Sequence, residues 1–378
     1  MARKRRKLIV RDRKKTALRI AVALVSLIAL IGAAVLVVLT SKSCGKRMSL
    51  RELGFPAPSL LCGTGDGLLY LAGSELDFIS FRDEDENFVK ALTGANDPAG
   101  LSGSEGVKVV WSKNAVQIVG GSFDMAPEGE IRAIRCGSSH VAVCSRLPAG
   151  NEQVNVYTSV GQLLKTFDFP KGALMDFGFS EASGNTLWTM QLVTDSGSPR
   201  TTVSTFDLNR MSSTGVITVS GQLVERVFFT SSSVFVVGTE SLIRYSSSAN
   251  REIYRVRLYG YRVADISLAG ENPLLMLLPR GVDSAAEAAS IRLMSVSQKD
   301  VAGETAVTVI IPNGTVGCRL LNGMLSVTSA DSVTLYSAKG EKLETKPVPG
   351  AVTASQKLDE HHILLERSGD CVLLTVGK

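Results

Sequence analysis

The chain has 378 residues, 44% of them hydrophobic and 6% aromatic, and a formal charge of +5. This length and apolar content exclude a wholly disordered chain and are sufficient for a large folded domain. Residues 1–19 contain ten Lys or Arg and one Asp, which amounts to +9 and leaves −4 for residues 41–378. Since the excess positive charge is confined to a short tail, the composition does not indicate nucleic-acid binding.

An uncharged apolar run extends from Ile20 to Leu39 directly after the basic tail. Twenty helical residues span about 30 Å, the thickness of the hydrocarbon core of a bilayer. The run therefore predicts a transmembrane helix over 20–41, and the basic residues before it predict a cytoplasmic N-terminus. A cleaved signal peptide is the alternative, but its apolar region is usually only about 7–15 residues long.

We thus expect a single-pass protein of the cell membrane with an extracytoplasmic C-terminal domain. The predicted segments are a basic cytoplasmic tail (1–19), the transmembrane helix (20–41), a linker (42–54) and a folded ectodomain (55–378).

The predicted ectodomain consists of short apolar runs separated by clusters of Gly, Asn, Asp and Ser, which favours strands and turns over helices. One pattern, apolar-x-apolar-Tyr followed by a polar turn, recurs at Tyr157, Tyr245 and Tyr336. The intervals of 88 and 91 residues each accommodate two units of about 44 residues. Weaker copies of the pattern occur at Phe81, Ile118, Phe206, Met294 and Leu374.

Further apolar runs surround these copies and give four short strands per unit, a pattern typical of a β-propeller. We predict an all-β propeller of about eight blades, with seven as the alternative because the second unit must take its first strand from residues 94–106. The last unit has only three strands, so we expect the segment from Ser49 to Cys62 to supply the fourth and close the ring. A pair of β-sandwiches or a β-solenoid is the other architecture compatible with the pattern.

The sequence nominates no catalytic, cofactor or metal site. Of the three histidines, His140 lies in a predicted turn, and His361 and His362 are neighbours in a strand, where adjacent side chains point to opposite faces. We interpret all three as structural or solvent-facing, and the acidic run 82–86 as a solvated hairpin tip. Trp188 is predicted to pack between blades. Paired carboxylates contributed by separate blades remain open, because their spacing in sequence would be irregular.

An extracytoplasmic location would permit disulfides between cysteines. The candidate pairs are Cys62 with Cys371, near the closing blade, and Cys136 with Cys144, in one hairpin. Buried free thiols are the alternative. The six cysteines are Cys44, Cys62, Cys136, Cys144, Cys318 and Cys371.

Several stretches resemble a domain family of unknown function whose members are single-pass, membrane-anchored, propeller-like proteins of Gram-positive bacteria. The resemblance rests on MDFGFSEASGNTLWTMQLVTDSGSPRTTVSTFDL from Met175, on GQLVERVFF, on VVGTESLIRY and on YGYRVADISL. The chain departs from the family pattern at Ser180-Glu-Ala-Ser, where a Ser-Pro-Asp-Gly turn is expected. The resemblance implies an N-terminal anchor and a propeller, and it implies no activity.

The function we expect is a membrane-tethered extracytoplasmic propeller that acts as a protein-binding or scaffolding module of the cell envelope, without catalysis or cofactor. Its partner would be an envelope protein. The alternative is a ligand sensor or carbohydrate-active enzyme that uses the central funnel. An enzyme should bring carboxylates or histidines together at one funnel mouth, whereas a scaffold should present an apolar or charged patch on a face.

Overall fold

Eight four-stranded antiparallel sheets make up the domain. The structure is a computed structural model, and it describes residues 47–377 except 92–96, 121–123, 181–183, 195–196, 248–249, 270–271 and 297–305. Within these residues there are 32 strands and one short 3-10 helix, Glu84–Glu86.

The first half of the strands is β1 (Met48–Glu52), β2 (Leu61–Gly63), β3 (Gly67–Ala72), β4 (Glu75–Ser80), β5 (Phe88–Ala91), β6 (Gly100–Gly103), β7 (Lys108–Trp111), β8 (Val116–Ile118), β9 (Asp124–Met125), β10 (Glu130–Cys136), β11 (His140–Arg146), β12 (Glu152–Thr158), β13 (Leu163–Phe169), β14 (Ala173–Phe179), β15 (Thr186–Val193) and β16 (Arg200–Asp207). The second half is β17 (Ser212–Ser220), β18 (Val224–Phe229), β19 (Ser233–Gly238), β20 (Ser241–Ser246), β21 (Glu252–Arg257), β22 (Tyr261–Ser267), β23 (Leu274–Pro279), β24 (Ser290–Ser295), β25 (Val307–Ile310), β26 (Thr315–Leu321), β27 (Met324–Ser329), β28 (Ser332–Tyr336), β29 (Lys342–Pro347), β30 (Val352–Lys357), β31 (His362–Arg367) and β32 (Cys371–Val376).

Each of blades 1 to 7 is a meander of four consecutive strands, from β2–β5 in blade 1 to β26–β29 in blade 7. The first strands of neighbouring blades contact one another, as β2 contacts β6 and β26 contacts β30, so the first strand of each blade is the innermost. The prediction of an all-β propeller is confirmed, and the number of blades is eight. Blade 2 takes its first strand, β6, from residues 94–106 as expected.

Blade 8 closes the ring with strands from both ends of the domain, in the order β1-β32-β31-β30. The register runs from Met48 opposite Val376 to Glu52 opposite Val372. The hypothesis that a segment near Ser49 supplies the last strand is confirmed. Strand β1 lies within the segment 42–54 predicted as a linker, and the propeller unit begins at Met48. Its short, largely polar sequence MSLRE gives no strand signal of its own, and it joins the fold by pairing with β32 and by burying Met48 in the core.

The hydrophobic core lies between the blades, because both faces of each sheet pack against neighbouring blades. The second strands are buried along most of their length, for example β11 and β19, and therefore read as continuous apolar runs in the sequence. The outer strand β21 alternates between exposed and buried residues. Trp188 packs against Phe229 of the next blade, with the ring centroids 6.0 Å apart, which confirms the expected inter-blade position.

The recurring tyrosines lie at the last or second-last position of the third strand of their blades. At each of them the ladder to the fourth strand shifts register, which is a β-bulge. The turn that follows contains a left-handed residue, with φ of 86° at Gly161, 47° at Asn250 and 77° at Gly340. The Gly or Asn of the repeat is thus explained, because these residues tolerate positive φ at little cost.

The five described cysteines are free thiols, so neither proposed disulfide is present. In the hairpin of blade 3, Cys136 lies opposite Val141 and Cys144 opposite Ala133, so the two sulfurs are not cross-strand neighbours. Burial raises the thiol pKa to about 12 for four of them and to about 11 for Cys371. Cys44 lies outside the described residues.

The run from Ile20 to Leu39 and the basic tail also lie outside the described residues. In the part of the chain that is described, no helix has the length and apolar character needed to cross a membrane.

Candidate functional site

The central channel opens on two faces. We call the face with the loops between first and second strands the AB face, and the opposite face, with the loops between second and third strands, the BC face. On the AB face the channel mouth widens into a cavity of about 640 Å³. The lining residues come from blades 1, 5, 6 and 8 and are Gly65, Phe228, Ile266, Leu268, Lys357, Leu358, Asp359, Glu360 and His361.

Lys357, at the end of the innermost strand of blade 8, reaches across the mouth to blade 6. Its Nζ donates a hydrogen bond to the carbonyl oxygen of Ile266 at 2.8 Å and lies 3.0 Å from Glu360 Oε1. The same nitrogen is 3.6 Å from Asp265 Oδ1. The Lys357 side chain is only 19% exposed, and its positive charge is balanced by these carboxylate and carbonyl partners rather than by solvent.

The two carboxylates around Lys357 also connect blades. Asp265 Oδ2 accepts a hydrogen bond from the backbone N–H of Leu320 in blade 7 at 2.7 Å. Ser267 Oγ donates to Glu360 of blade 8 and accepts from the backbone N–H of Gly323 in blade 7 at 2.8 Å. These bonds tie the innermost strands of blades 6, 7 and 8 together at the mouth.

Asp359 organises the loop between β30 and β31 at the seam where the ring closes. Its Oδ1 accepts hydrogen bonds from the backbone N–H groups of His361 at 2.6 Å and His362 at 2.8 Å, and His362 Nδ1 lies 2.9 Å from both carboxylate oxygens. Burial alone would raise the pKa of Asp359, but these hydrogen bonds outweigh it and lower the pKa. The His362 ring stacks on Phe81 of blade 1, with centroids 3.8 Å apart.

His361 faces the cavity with a defined tautomer. Its Nδ1 lies 3.1 Å from the carbonyl oxygen of Val376. A carbonyl oxygen can only accept, so we assign the proton to Nδ1, which leaves a lone pair on Nε2 of the neutral ring. His140 is separate from this site: it begins β11 in blade 3, is nearly buried beside Phe179, and has a pKa lowered by burial.

Carboxylates and histidines therefore do meet at one funnel mouth, but their hydrogen bonds are mainly structural. The lowered pKa of Asp359 does not suit this one carboxyl to the role of general acid in glycoside cleavage, which needs a raised pKa. Among the described residues no group of three or more His, Cys, Asp or Glu side chains is arranged to hold a metal ion. In the acidic run, Glu86 accepts a hydrogen bond from Ser80 Oγ at 2.9 Å, within the hairpin itself.

The BC face carries a second feature, centred on the turn between blades 5 and 6. Tyr259 is 70% exposed and has φ of 44°, in the left-handed region that bulky residues avoid. Beside it, Arg280 donates through its backbone N–H to the carbonyl oxygen of Gly260 and through Nη1 to Glu225 Oε1, at 2.8 and 2.9 Å. Leu223 is 46% exposed on the same face.

Backbone and side-chain bonds connect these residues into one surface. Thr239 donates through its N–H to the carbonyl oxygen of Leu223 at 2.8 Å, and its own carbonyl accepts from Arg280 Nη2 at 2.8 Å. We call Leu223, Glu225, Tyr259 and Arg280 the Tyr259 patch. An exposed Leu and an exposed Tyr thus flank an ion pair whose side chains are 35% and 33% exposed.

Sequence analysis did not single out Asp265, Lys357, Glu360 or Tyr259. Asp265 is 92 residues before Lys357 in the sequence, and Glu360 follows Lys357 in a loop without a recognisable motif. Only the convergence of the blades on the channel brings Asp265 close to the other two. The sequence did contain a sign that Tyr259 is unusual. It precedes Gly260 in a tight turn between strands, where Asn-Gly or Asp-Gly is the usual pair.

Comparison with known proteins identifies the fold. No protein-family model matches the chain, and a search of curated proteins finds no match. Among solved structures, the WD40 domain of SCAP from fission yeast matches with a TM-score of 0.56 and 8% identity over 88% of this chain and 99% of that one.

Two further solved structures are similar to this chain. The Dos1 propeller has a TM-score of 0.55 and 11% identity, covering 87% of this chain and 95% of that one. BamB from Moraxella catarrhalis has a TM-score of 0.51 and 10% identity, with coverage of 87% and 98%. At such low identity these matches establish the β-propeller fold alone.

Proposed function

We propose that this chain is a membrane-tethered extracytoplasmic β-propeller that binds a protein partner of the cell envelope through the Tyr259 patch. The observation that carries the proposal is the conformation of Tyr259, a bulky residue held exposed at positive φ. A non-Gly residue in this region costs about 1–2 kcal/mol, and such strain is retained mostly at functional positions.

The composition of the patch supports protein binding. Tyr and Arg are enriched among residues that dominate binding energy at interfaces, whereas scattered surface Leu residues are ordinary. The patch stands on a tight turn between blades, with Arg280 fixed by Glu225 and Thr239. Little side-chain or loop entropy would be lost when a partner binds to such a preordered surface.

The tether and the location rest on the sequence. The apolar run from Ile20 to Leu39 is long enough to span a bilayer, and the ten basic residues before it favour a cytoplasmic N-terminus. The absence of catalysis is part of the proposal, and it is supported by the structural role of the carboxylates at the channel mouth.

The test is in-cell crosslinking and pull-down with the full-length protein. The variant Tyr259→Asn keeps a residue that tolerates positive φ but removes the aromatic ring. Val160→Asn is the matched control, because Val160 is 68% exposed in the turn between β12 and β13 on the opposite face. We expect a specific partner to be lost with Tyr259→Asn and kept with Val160→Asn.

Tethering is tested in the same assay by placing charges within the run from Ile20 to Leu39. We expect this variant to lose both membrane fractionation and the partner. Equal recovery of the partner by wild type and Tyr259→Asn would refute the proposed surface, and unchanged fractionation of the charged variant would refute the tether.

A second candidate function, ligand sensing at the central funnel, is favoured by the cavity on the AB face. Its volume falls in the range of small-molecule sites, about 300–1,000 Å³. Carbohydrate cleavage in this cavity is disfavoured, because Asp265, Asp359 and Glu360 accept hydrogen bonds that hold blades and loops together.

A further inference from the structure

The cavity on the AB face combines an apolar wall with an excess of negative charge. Phe228, Ile266, Leu268 and Leu358 form the apolar part of its lining. The charged side chains among its lining residues are one cation, Lys357, and two carboxylates, Asp359 and Glu360, which gives a formal charge of −1.

The single cation at the mouth is already neutralised. Lys357 Nζ has three acceptors within 3.6 Å, two of them carboxylate oxygens and one a backbone carbonyl. An anionic ligand would have to compete with these partners. The cavity therefore lacks a free cation among its described lining residues, and its field favours positive ligands.

Unused acceptors remain on the groups that line the cavity. Each oxygen of Glu360 accepts one protein hydrogen bond, from Lys357 or Ser267, although a carboxylate oxygen can accept two. Nε2 of His361 has a lone pair, because Nδ1 carries the proton. Bonds within blade 8 hold both acceptor groups, and Ser267 of blade 6 also bonds to Glu360, so they need no reorganisation when a donor arrives.

We propose that the channel mouth on the AB face binds a small organic cation, a primary ammonium carried on an apolar body. The ammonium donates to Glu360 and His361, and the apolar body packs on Phe228, Ile266 and Leu268. This inference rests on the second candidate function, ligand sensing, and is independent of the Tyr259 patch.

The chemistry of the site explains the choice of ligand class. An ammonium group offers three donors and no acceptor, which fits a site with spare acceptors and negative charge. A neutral sugar would leave its many hydroxyl groups against an apolar wall, and burying unpaired hydroxyls is costly. The volume of about 640 Å³ is larger than one amino-acid side chain needs and suits a free small molecule.

The test is calorimetric titration of the purified full-length protein with four probes. Phenethylammonium carries the proposed chemistry, phenethyl alcohol is its neutral analogue, and phenylacetate is an anion of similar size. N-acetyl-lysine amide presents the same cation as a protein side chain would. We expect phenethylammonium to bind at least about tenfold more tightly than phenethyl alcohol and phenylacetate, since charge-assisted hydrogen bonds are markedly stronger than neutral ones and the negative site disfavours an anion. N-acetyl-lysine amide should bind more weakly than phenethylammonium, because its two amide groups would lie against the apolar wall.

Two variants locate the site. Glu360→Gln retains the size of the side chain and removes one negative charge; its amide oxygen can still accept from Lys357, and its NH2 group then faces Ser267 Oγ as a donor. We expect it to weaken phenethylammonium about fivefold or more, while Glu341→Gln, at an exposed turn of blade 7, changes nothing. Thermal melting of both variants checks the fold.

Wild-type protein alone also tests the proposal, in case Glu360→Gln perturbs the blades. Affinity for phenethylammonium should fall as NaCl rises from about 50 to 500 mM, because salt screens the attraction. Binding of the alcohol as tight as the ammonium, a preference for lysine amide, or no binding of any probe would each overturn the proposal. None of these results would affect partner capture by the Tyr259 patch, so the two proposals fail separately.

Discussion

Closure of the propeller by β1 makes a quantitative prediction for Met48. This side chain is 0% exposed and packs in the cluster that holds Leu374 and Val376 of the neighbouring strand. Replacing a buried Met by Ala typically costs about 2–5 kcal/mol, from lost apolar burial and the cavity that remains. Native proteins are stable by only about 5–15 kcal/mol, so Met48→Ala should remove a large part of the stability of the ring.

The assay is urea unfolding of the full-length protein. With a slope of about 3 kcal/mol/M, the Met48→Ala midpoint should fall by about 1 M. The matched control is Met175→Ala, the same chemical change at a side chain that is 51% exposed. We expect its midpoint to shift by less than a third as much.

Hydrogen exchange supplies a local readout, because a propeller of eight blades need not unfold in one step. Relative to wild type, Met48→Ala should speed up exchange of the amides in β1 and β32. Exchange in β11 should change much less, because its blade is remote from blade 8, where the ring closes. The reasoning is refuted if Met48→Ala and Met175→Ala give the same midpoint, or if exchange in β1 is unchanged.

Three other predictions follow from the described residues. The five described thiols should resist alkylation at pH 8 in the native protein and react only after unfolding, because burial raises their pKa to about 11–12. Site-resolved mass spectrometry checks this, and complete labelling of native Cys371 would contradict it. The lowered pKa of Asp359 gives stability that is present above its unfolded pKa and lost as pH falls through the folded value, below about pH 4. His362→Ala removes a partner of that carboxylate, so its acid unfolding should begin at higher pH than in wild type, and identical acid transitions would argue against the bond. Tyr259→Asn should leave the melting temperature unchanged or raise it, corresponding to about 0–1 kcal/mol from relieved strain, and a clear drop would show that Tyr259 is needed for folding.

The amino-acid sequence by itself determined the class of fold, but it left the number of blades at seven or eight, and the structure decided eight. The second strand of each blade is buried on both faces, and therefore produces apolar runs that are readable without any structure, such as that of β19. The tyrosine repeat is readable because each copy meets the same local requirement, a bulge followed by a turn with positive φ, as at Gly161. Both signals depend only on neighbouring residues in the chain.

The sites depend on residues that are distant in sequence, and only the tertiary structure decided them. Asp265 and Lys357 meet because three innermost strands converge on one channel, and nothing in either local sequence specifies the other. Met48 is buried because β1 pairs with β32, more than 300 residues away, although its own segment looks like a linker. Cys136 and Cys144 remain free for the same reason, because the register of their hairpin, rather than their spacing in sequence, sets which side chains are neighbours.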